Sequence, residues 1–180
     1  MTTIDAMEYF FWCRDRPGTL DLRWKLAEEH WSFMDAYASR MIARGPTLTA
    51  DRSAPTGSVH IVDLPDAAAA RRFAFEEPNY RAGVYRDVLI RRFENRSGRT
   101  MWQFPGTDEE GRFLLLGHAR PGSAPPRDLD DERVIVQGPL FAEDGSAWLG
   151  TAVLAEAPDL LDASLYAAVE AHPWQFGGRR

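Results

Sequence analysis

Residues 45–66, GPTLTADRSAPTGSVHIVDLPD, and residues 138–159, GPLFAEDGSAWLGTAVLAEAPD, carry the same punctuation. Gly45, Gly57 and Pro65 recur at Gly138, Gly150 and Pro158, a constant offset of 93. Gly and Pro are the strongest local interrupters of regular structure. Three of them in register mark a diverged internal duplication. A further pair lies upstream. Arg16-Pro17-Gly18 follows the apolar run Tyr9–Trp12, and Arg120-Pro121-Gly122 follows Phe113–Leu116.

Working outward in the first copy, Met7–Cys13 (MEYFFWC) reads as a buried strand ended by the Arg16-Pro17-Gly18 turn. Leu20–Arg44 holds no Gly or Pro, and its apolar residues recur at helical spacing, so a helix is expected there, stopped by Gly45-Pro46. A short strand is expected near Thr47–Ala50, and an alternating one over Gly57–Leu64. Pro65-Asp66 opens a second helix over Ala67–Phe75, with Asp66 as its cap. Asp87–Phe93 supplies the last strand. The order β-α-β-β-α-β is the split βαβ, ferredoxin-like unit, giving an α+β fold.

The second copy is shorter. Gly18 precedes Gly45 by 27 positions, but Gly122 precedes Gly138 by only 16, so the first helix is replaced by a Pro- and Asp-rich loop over 123–132. This copy is expected to stop at His172-Pro173-Trp174, short of a last strand. The expected organisation is a first half over 1–95, a linker over 96–111 in which Met101–Phe104 forms a short edge strand, and a degenerate half over 112–180.

Composition narrows the function. The chain has 180 residues, 44% of them apolar, and a net charge of −6. Residues 1–98 balance 14 basic against 14 acidic side chains, while residues 99–180 hold 7 against 13. An acidic protein with no basic patch is a poor nucleic-acid binder. Cys13 is the only cysteine, which excludes an internal disulfide and any multi-cysteine zinc site. Lys25 is the only lysine and stands outside any phosphate-binding loop. No stretch approaches the roughly 18 apolar residues of a membrane span, and the start MTTIDAMEYFF is not a signal peptide. The reading is a soluble cytoplasmic protein. No GxGxxG, GxSxG or HExxH is present, and His118 and His172 lack metal-ligand spacing, so neither cofactor nor metal is expected.

The first 95 residues resemble the YCII-related family. The matching features are the strand ending in Cys13-Arg14-Asp15-Arg16-Pro17-Gly18, the helical His30, Gly45-Pro46, Gly57-Ser58, and Glu77-Pro78-x-Tyr80 followed by Ala82-Gly83. The resemblance implies ferredoxin-like units paired into a dimeric α+β barrel, so a tandem chain would be a fused pseudo-dimer. Further homodimerisation is left open. It also implies an active site made of a histidine and an acidic partner. His30 takes the histidine's place, and either Asp15 or Glu77 takes the partner's. The second copy offers no equivalent of His30, and Asp15 corresponds to Ala119.

A carboxylate on one imidazole nitrogen fixes the tautomer and leaves the other nitrogen to accept a proton. The family's chemistry includes elimination from a chlorinated aromatic. The expectation is therefore a cofactor-independent lyase or isomerase acting on a small hydrophobic or aromatic metabolite, with His30 as base. Arg14 would hold a developing oxyanion. Trp12, Trp31, Ser58 and Tyr80 would contact substrate. The competing expectation is a non-catalytic small-molecule-binding protein on the same fold. His60, in an alternating strand, reads as structural or surface rather than catalytic, and Cys13 as a small core residue.

Overall fold

A computed structural model describes residues 7–178 of the chain. In the first half, β1 (Met7–Asp15) is followed by α1 (Leu20–Lys25), α2 (Ala27–Asp35) and β2 (Met41–Leu48). Then come β3 (Pro55–Leu64), α3 (Ala67–Glu76), α4 (Pro78–Arg81) and β4 (Tyr85–Phe93). The second half is built from β5 (Phe113–His118), β6 (Val134–Phe141), β7 (Trp148–Ala155) and β8 (Ala168–Pro173).

The eight strands form one sheet in the order β2-β3-β1-β4-β6-β7-β5-β8. Each half contributes the same permutation: the third, first and fourth strands follow the second. All pairings are antiparallel. The two ends of the row also meet. Thr47 bridges to Trp174, and the amides of Gln175 and Gly177 donate to the carbonyls of Pro46 and Arg44 at 3.2 and 3.0 Å. The sheet is therefore a closed barrel, which leaves no free edge between the halves.

Closure explains the repeated Gly-Pro. At the opposite seam the amides of Glu94 and Arg96 donate to the carbonyls of Pro139 and Gln137. A Cβ on Gly45 would overlap the Gln175 carbonyl oxygen, and a Cβ on Gly138 would overlap that of Glu94. At both seams the crossing backbone comes so close that only glycine fits. Gly45-Pro46 thus lies inside β2 rather than stopping a helix.

Strand alternation then sorts the side chains. Phe10 and Trp12 point into the barrel with Ile42, Leu114, Ile135 and Trp174, forming a core drawn from both halves. Tyr9, Phe11 and Cys13 point outward beneath the helices, packing with Met34, Phe73 and Val62. Burying each such aromatic stabilises the fold by roughly 2–3 kcal/mol relative to exposure. In the second half the outer face, with Leu115, Val153 and Tyr166, is covered by loop residues Leu129, Leu160 and Leu161.

Four expectations are corrected. The helix expected through Arg44 ends at Asp35, because Met41, Ile42 and Ala43 are claimed by the buried strand β2. The second half does have a last strand, β8, since the open edge of β5 takes residues 168–173 as its partner. Met101–Gln103 is a single 3₁₀ turn rather than an edge strand, with Met101 fully buried in the barrel core. The second half, expected to lack the first helix alone, also lacks a counterpart of α3 among the described residues and has a 3₁₀ turn at Ala163–Leu165. Asp66 caps α3 as expected, its carboxylate accepting from the Ala69 amide at 2.7 Å.

The seams can be probed by overpacking. Gly45→Ala and Gly138→Ala should each destabilise by about 3 kcal/mol, a fall in melting temperature of roughly 6–12 °C for a chain of this size. Gly18→Ala, where a Cβ meets nothing despite a positive φ, should cost less. Equal melting temperatures for the seam variants and Gly18→Ala would contradict the close approach.

Candidate functional site

The outer face of the first sheet and its helices enclose a cavity of about 230 Å³, lined among others by Arg23, His30, Trp31, Arg44, Ser58 and His60. Each side chain is delivered by a local feature of the chain. His30 lies on α2, facing the sheet. Ser58 and His60 are two residues apart on β3 and so share its outer face. Arg44 is paired directly with His60 across the β2–β3 ladder. Residues 175–178, arriving from the second half across the seam, complete the wall.

Glu77 sits where α3 gives way to α4. The proline that follows disfavours helical conformation at Glu77, which adopts φ −64°, ψ 134° and becomes the N-cap of α4. Its Oε2 accepts from the Tyr80 amide at 3.0 Å, while Oε1 contacts His30 Nδ1. Glu77 is 2% exposed. With Nδ1 committed to this carboxylate, Nε2 is the ring nitrogen left for the cavity that His30 lines.

Asp15 lies elsewhere. A register shift between Arg14 and Asp15 at the end of β1 turns its carboxylate toward α1, where it accepts from Arg23 Nη1 at 3.0 and 3.2 Å. Arg23 Nη2 reaches on to the Gly57 carbonyl at 3.2 Å and to Ser58 Oγ at 2.7 Å. Burial raises the Asp15 carboxyl above its ordinary range, with Arg23 opposing. Of the two candidate partners, Glu77 touches His30 and Asp15 holds an arginine.

Three expected substrate contacts are displaced from the cavity. Trp12 and Arg14 project from the barrel side of β1, opposite to His30, because alternate residues of a strand face opposite ways. Trp12 packs on His172 with ring centroids 4.7 Å apart, and Arg14 pairs with Asp87 at 2.6 Å while lying over the Trp12 ring. Arg14 is therefore not placed to hold an oxyanion near His30. Tyr80 stacks on Phe75 at 4.8 Å and meets the site only through its backbone amide. Trp31 and Ser58 line the cavity.

Sequence reasoning missed Arg23, Arg44 and Asn79, and read His60 as structural or surface, whereas it is buried in the wall of the cavity. The His60 ring lies 5.6 Å from that of His30. Burial pushes its pKa well below the usual imidazole range, with His30, Arg44 and Arg23 adding to the effect. Its Nδ1, and the Oδ1 of Asn79, are buried without a hydrogen-bond partner. The clue to Arg44 was its place just before the repeated Gly-Pro. Nothing in the sequence pointed to Asn79.

A smaller cavity of about 110 Å³ in the second half is lined by Gln137, Gly138, Pro139 and Thr151, the residues 93 positions beyond Arg44, Gly45, Pro46 and Ser58. Loop residues 125–129 stand there in place of helices. Gln137 is clasped to Leu129, accepting from its amide and donating to its carbonyl at 2.8 Å each. The equivalent site has Gln137 where Arg44 stands and, among the described residues, no histidine in its lining.

The neutral burial of His60 has a consequence for stability. Below the unfolded-state pKa near 6.5, the unfolded chain binds a proton that folded His60 refuses, so this residue destabilises the fold as pH falls. Its slope approaches about 1.4 kcal/mol per pH unit. Chemical denaturation of wild type and His60→Phe at pH 7 and pH 5 isolates this contribution, because the other titrating groups are common to both. His60→Phe should lose less stability on acidification, and equal losses would contradict a neutral buried ring.

Residues 7–94 match the YCII-related domain. An uncharacterized protein of Haemophilus influenzae is 30% identical over 95 residues, covering 49% of this chain and 97% of that protein. A mutant chlorite dismutase from Candidatus Nitrospira defluvii, solved with cyanide, shares only 6% identity. It nevertheless superposes with a TM-score of 0.55 over 95% of this chain and 90% of its own, which extends the likeness of fold to both halves. The 5-chloro-2-hydroxyhydroquinone dehydrochlorinase of Burkholderia phenoliruptrix, solved with 2,5-dihydroxybenzoquinone, is 24% identical over 52% of this chain and 99% of its own, with a TM-score of 0.48. By its first 94 residues and the dimeric α+β barrel that they help to close, this chain belongs to the YCII-related family.

Proposed function

We propose that the protein is an enzyme of the lyase or isomerase type that moves a proton on a small hydrophobic or aromatic metabolite. The observation that carries this reading is the contact of His30 Nδ1 with the buried carboxylate of Glu77, beside a cavity large enough for a small molecule. A carboxylate accepting from Nδ1–H leaves the Nε2 lone pair available as a base and stabilises the imidazolium formed when it takes a proton.

In the reaction, His30 removes a proton from a carbon next to a carbonyl, or from a phenol, and the electron pair moves into the substrate's π system. Returning the proton at another carbon completes an isomerisation, and expelling a leaving group completes an elimination. Glu77 is the positioning residue. Asp15 supports the site indirectly by holding Arg23 against Ser58. The apolar share of the wall, with Trp31, Trp24, Leu48 and Phe176, suits a flat or hydrophobic ligand.

Incubating wild type and His30→Gln with a metabolite extract from the source organism, followed by untargeted mass spectrometry, tests the reading. A compound consumed by wild type should be spared by His30→Gln, with a loss on the order of 10²–10⁴-fold and an unchanged circular dichroism spectrum. Full turnover by His30→Gln would overturn the assignment. Enrichment of a compound with no change of mass by either protein would identify a binding protein instead.

A further inference from the structure

The charged groups around the His30 cavity are layered. Arg23, His30 and Arg44 line the space, and among the described residues no aspartate or glutamate does. Their acidic partners Asp15, Glu77 and Asp35 stand behind them. A molecule in the cavity therefore meets two guanidinium groups and the His30 ring, with the carboxylates turned away.

Arg44 is the group best placed to use this. Its side chain is 8% exposed, and Nη1 donates to Asp35 Oδ1 at 3.2 Å, a carboxylate that is itself 44% exposed. Solvent weakens that hold, and a guanidinium can offer further donors in a fork. Ser58, on the neighbouring strand, accepts from Arg23 through its oxygen, so its hydroxyl proton remains free to donate. The unpartnered His60 Nδ1 belongs to a residue of the same wall and donates when it carries the ring proton. A buried polar atom without a partner marks a place where a ligand can supply one.

The second half fixes this cation. The Gly177 amide donates to the Arg44 carbonyl, and Gly178, at φ +93°, passes so close to the guanidinium that a Cβ there would overlap Nη2. The helix-less half thus reaches the site, with Gly177 and Gly178 lying against Arg44.

We propose that the substrate is a small organic anion whose charged oxygen, a carboxylate or an ionised enol or phenol, is held by Arg44 and the Ser58 hydroxyl, with Gly178 positioning Arg44. This deepens the reading of the cavity as the substrate site and rests on it. An anion held here would also stabilise negative charge developing on the substrate as His30 takes its proton.

Isothermal titration with benzoate and with its neutral isostere benzamide tests the proposal without relying on turnover. Wild type should bind benzoate at millimolar concentration or below, and about tenfold or more tighter than benzamide. Arg44→Gln should erase the preference, Arg44→Lys should keep part of it, and His30→Gln should keep most of it. Gly178→Ala, which displaces the guanidinium without removing it, should reduce the preference and serves if Arg44→Gln fails to fold. Benzamide bound as tightly as benzoate, benzoate not bound at all, or a preference surviving in Arg44→Gln or Gly178→Ala would overturn it. Turnover unaffected in His30→Gln beside an intact anion preference would instead overturn only the catalytic reading.

Discussion

At each seam of the barrel a glycine is pressed against the backbone carbonyl of a crossing segment, Gly45 against Gln175 and Gly138 against Glu94. The rest of the structure depends on this double closure. A four-stranded sheet with helices on one face still exposes its other face and two edges, and neither is tolerable in water. Rolling two such sheets into one barrel buries Phe10 and Trp12 of one half against Leu114 and Ile135 of the other. It also converts both edges into pairings. The fused chain satisfies within one molecule a requirement that separate copies would have to meet by association.

Closure constrains both halves equally, but chemistry does not. The strands, the seam glycines and the barrel core are present twice. The helices that carry His30 and the Glu77 turn are present once. In the second half the space beneath the outer loops is filled by Gln137 holding Leu129. That arrangement stabilises the sheet's outer face, and among the described residues no histidine lines the cavity there. The two halves have thus divided labour. One keeps the functional groups, and the other keeps the geometry that walls them in, through residues 175–178.

Much of the strand framework was legible because seams and turns demand glycine and proline wherever they occur. The offset of 93 therefore survived after most other side chains had diverged. The same signal was misread in one respect. Gly45-Pro46 is normally a stop, and only the crossing of residues 175–177 shows that it lies within a strand. Met41–Ala43 were assigned to a helix because a short apolar run suits either state, and burial on both faces of a barrel strand decided it. β8 was missed because its pattern, AVEAHP, is half exposed and takes strand form by pairing with β5. At the site, His30, Glu77 and Ser58 were singled out from the family's motifs, and Trp31 as an aromatic beside His30 in sequence. Trp12 and Arg14 lie away from the cavity, because a residue's place along a strand does not by itself say which face of the sheet carries the site. Arg23 joins the site only through long-range pairing, which leaves no local signature, and Arg44 was marked only by its place before the repeated Gly-Pro.

The central claim is that Glu77 holds the His30 ring so that Nε2 is the base. Long-range ¹H–¹⁵N spectra of the His30 imidazole read this directly, by reporting which nitrogen bears the proton in the neutral ring. The account predicts a proton on Nδ1 and a bare Nε2, with this preference lost in Glu77→Gln. A neutral ring protonated on Nε2, or a tautomer indifferent to Glu77→Gln, would contradict it.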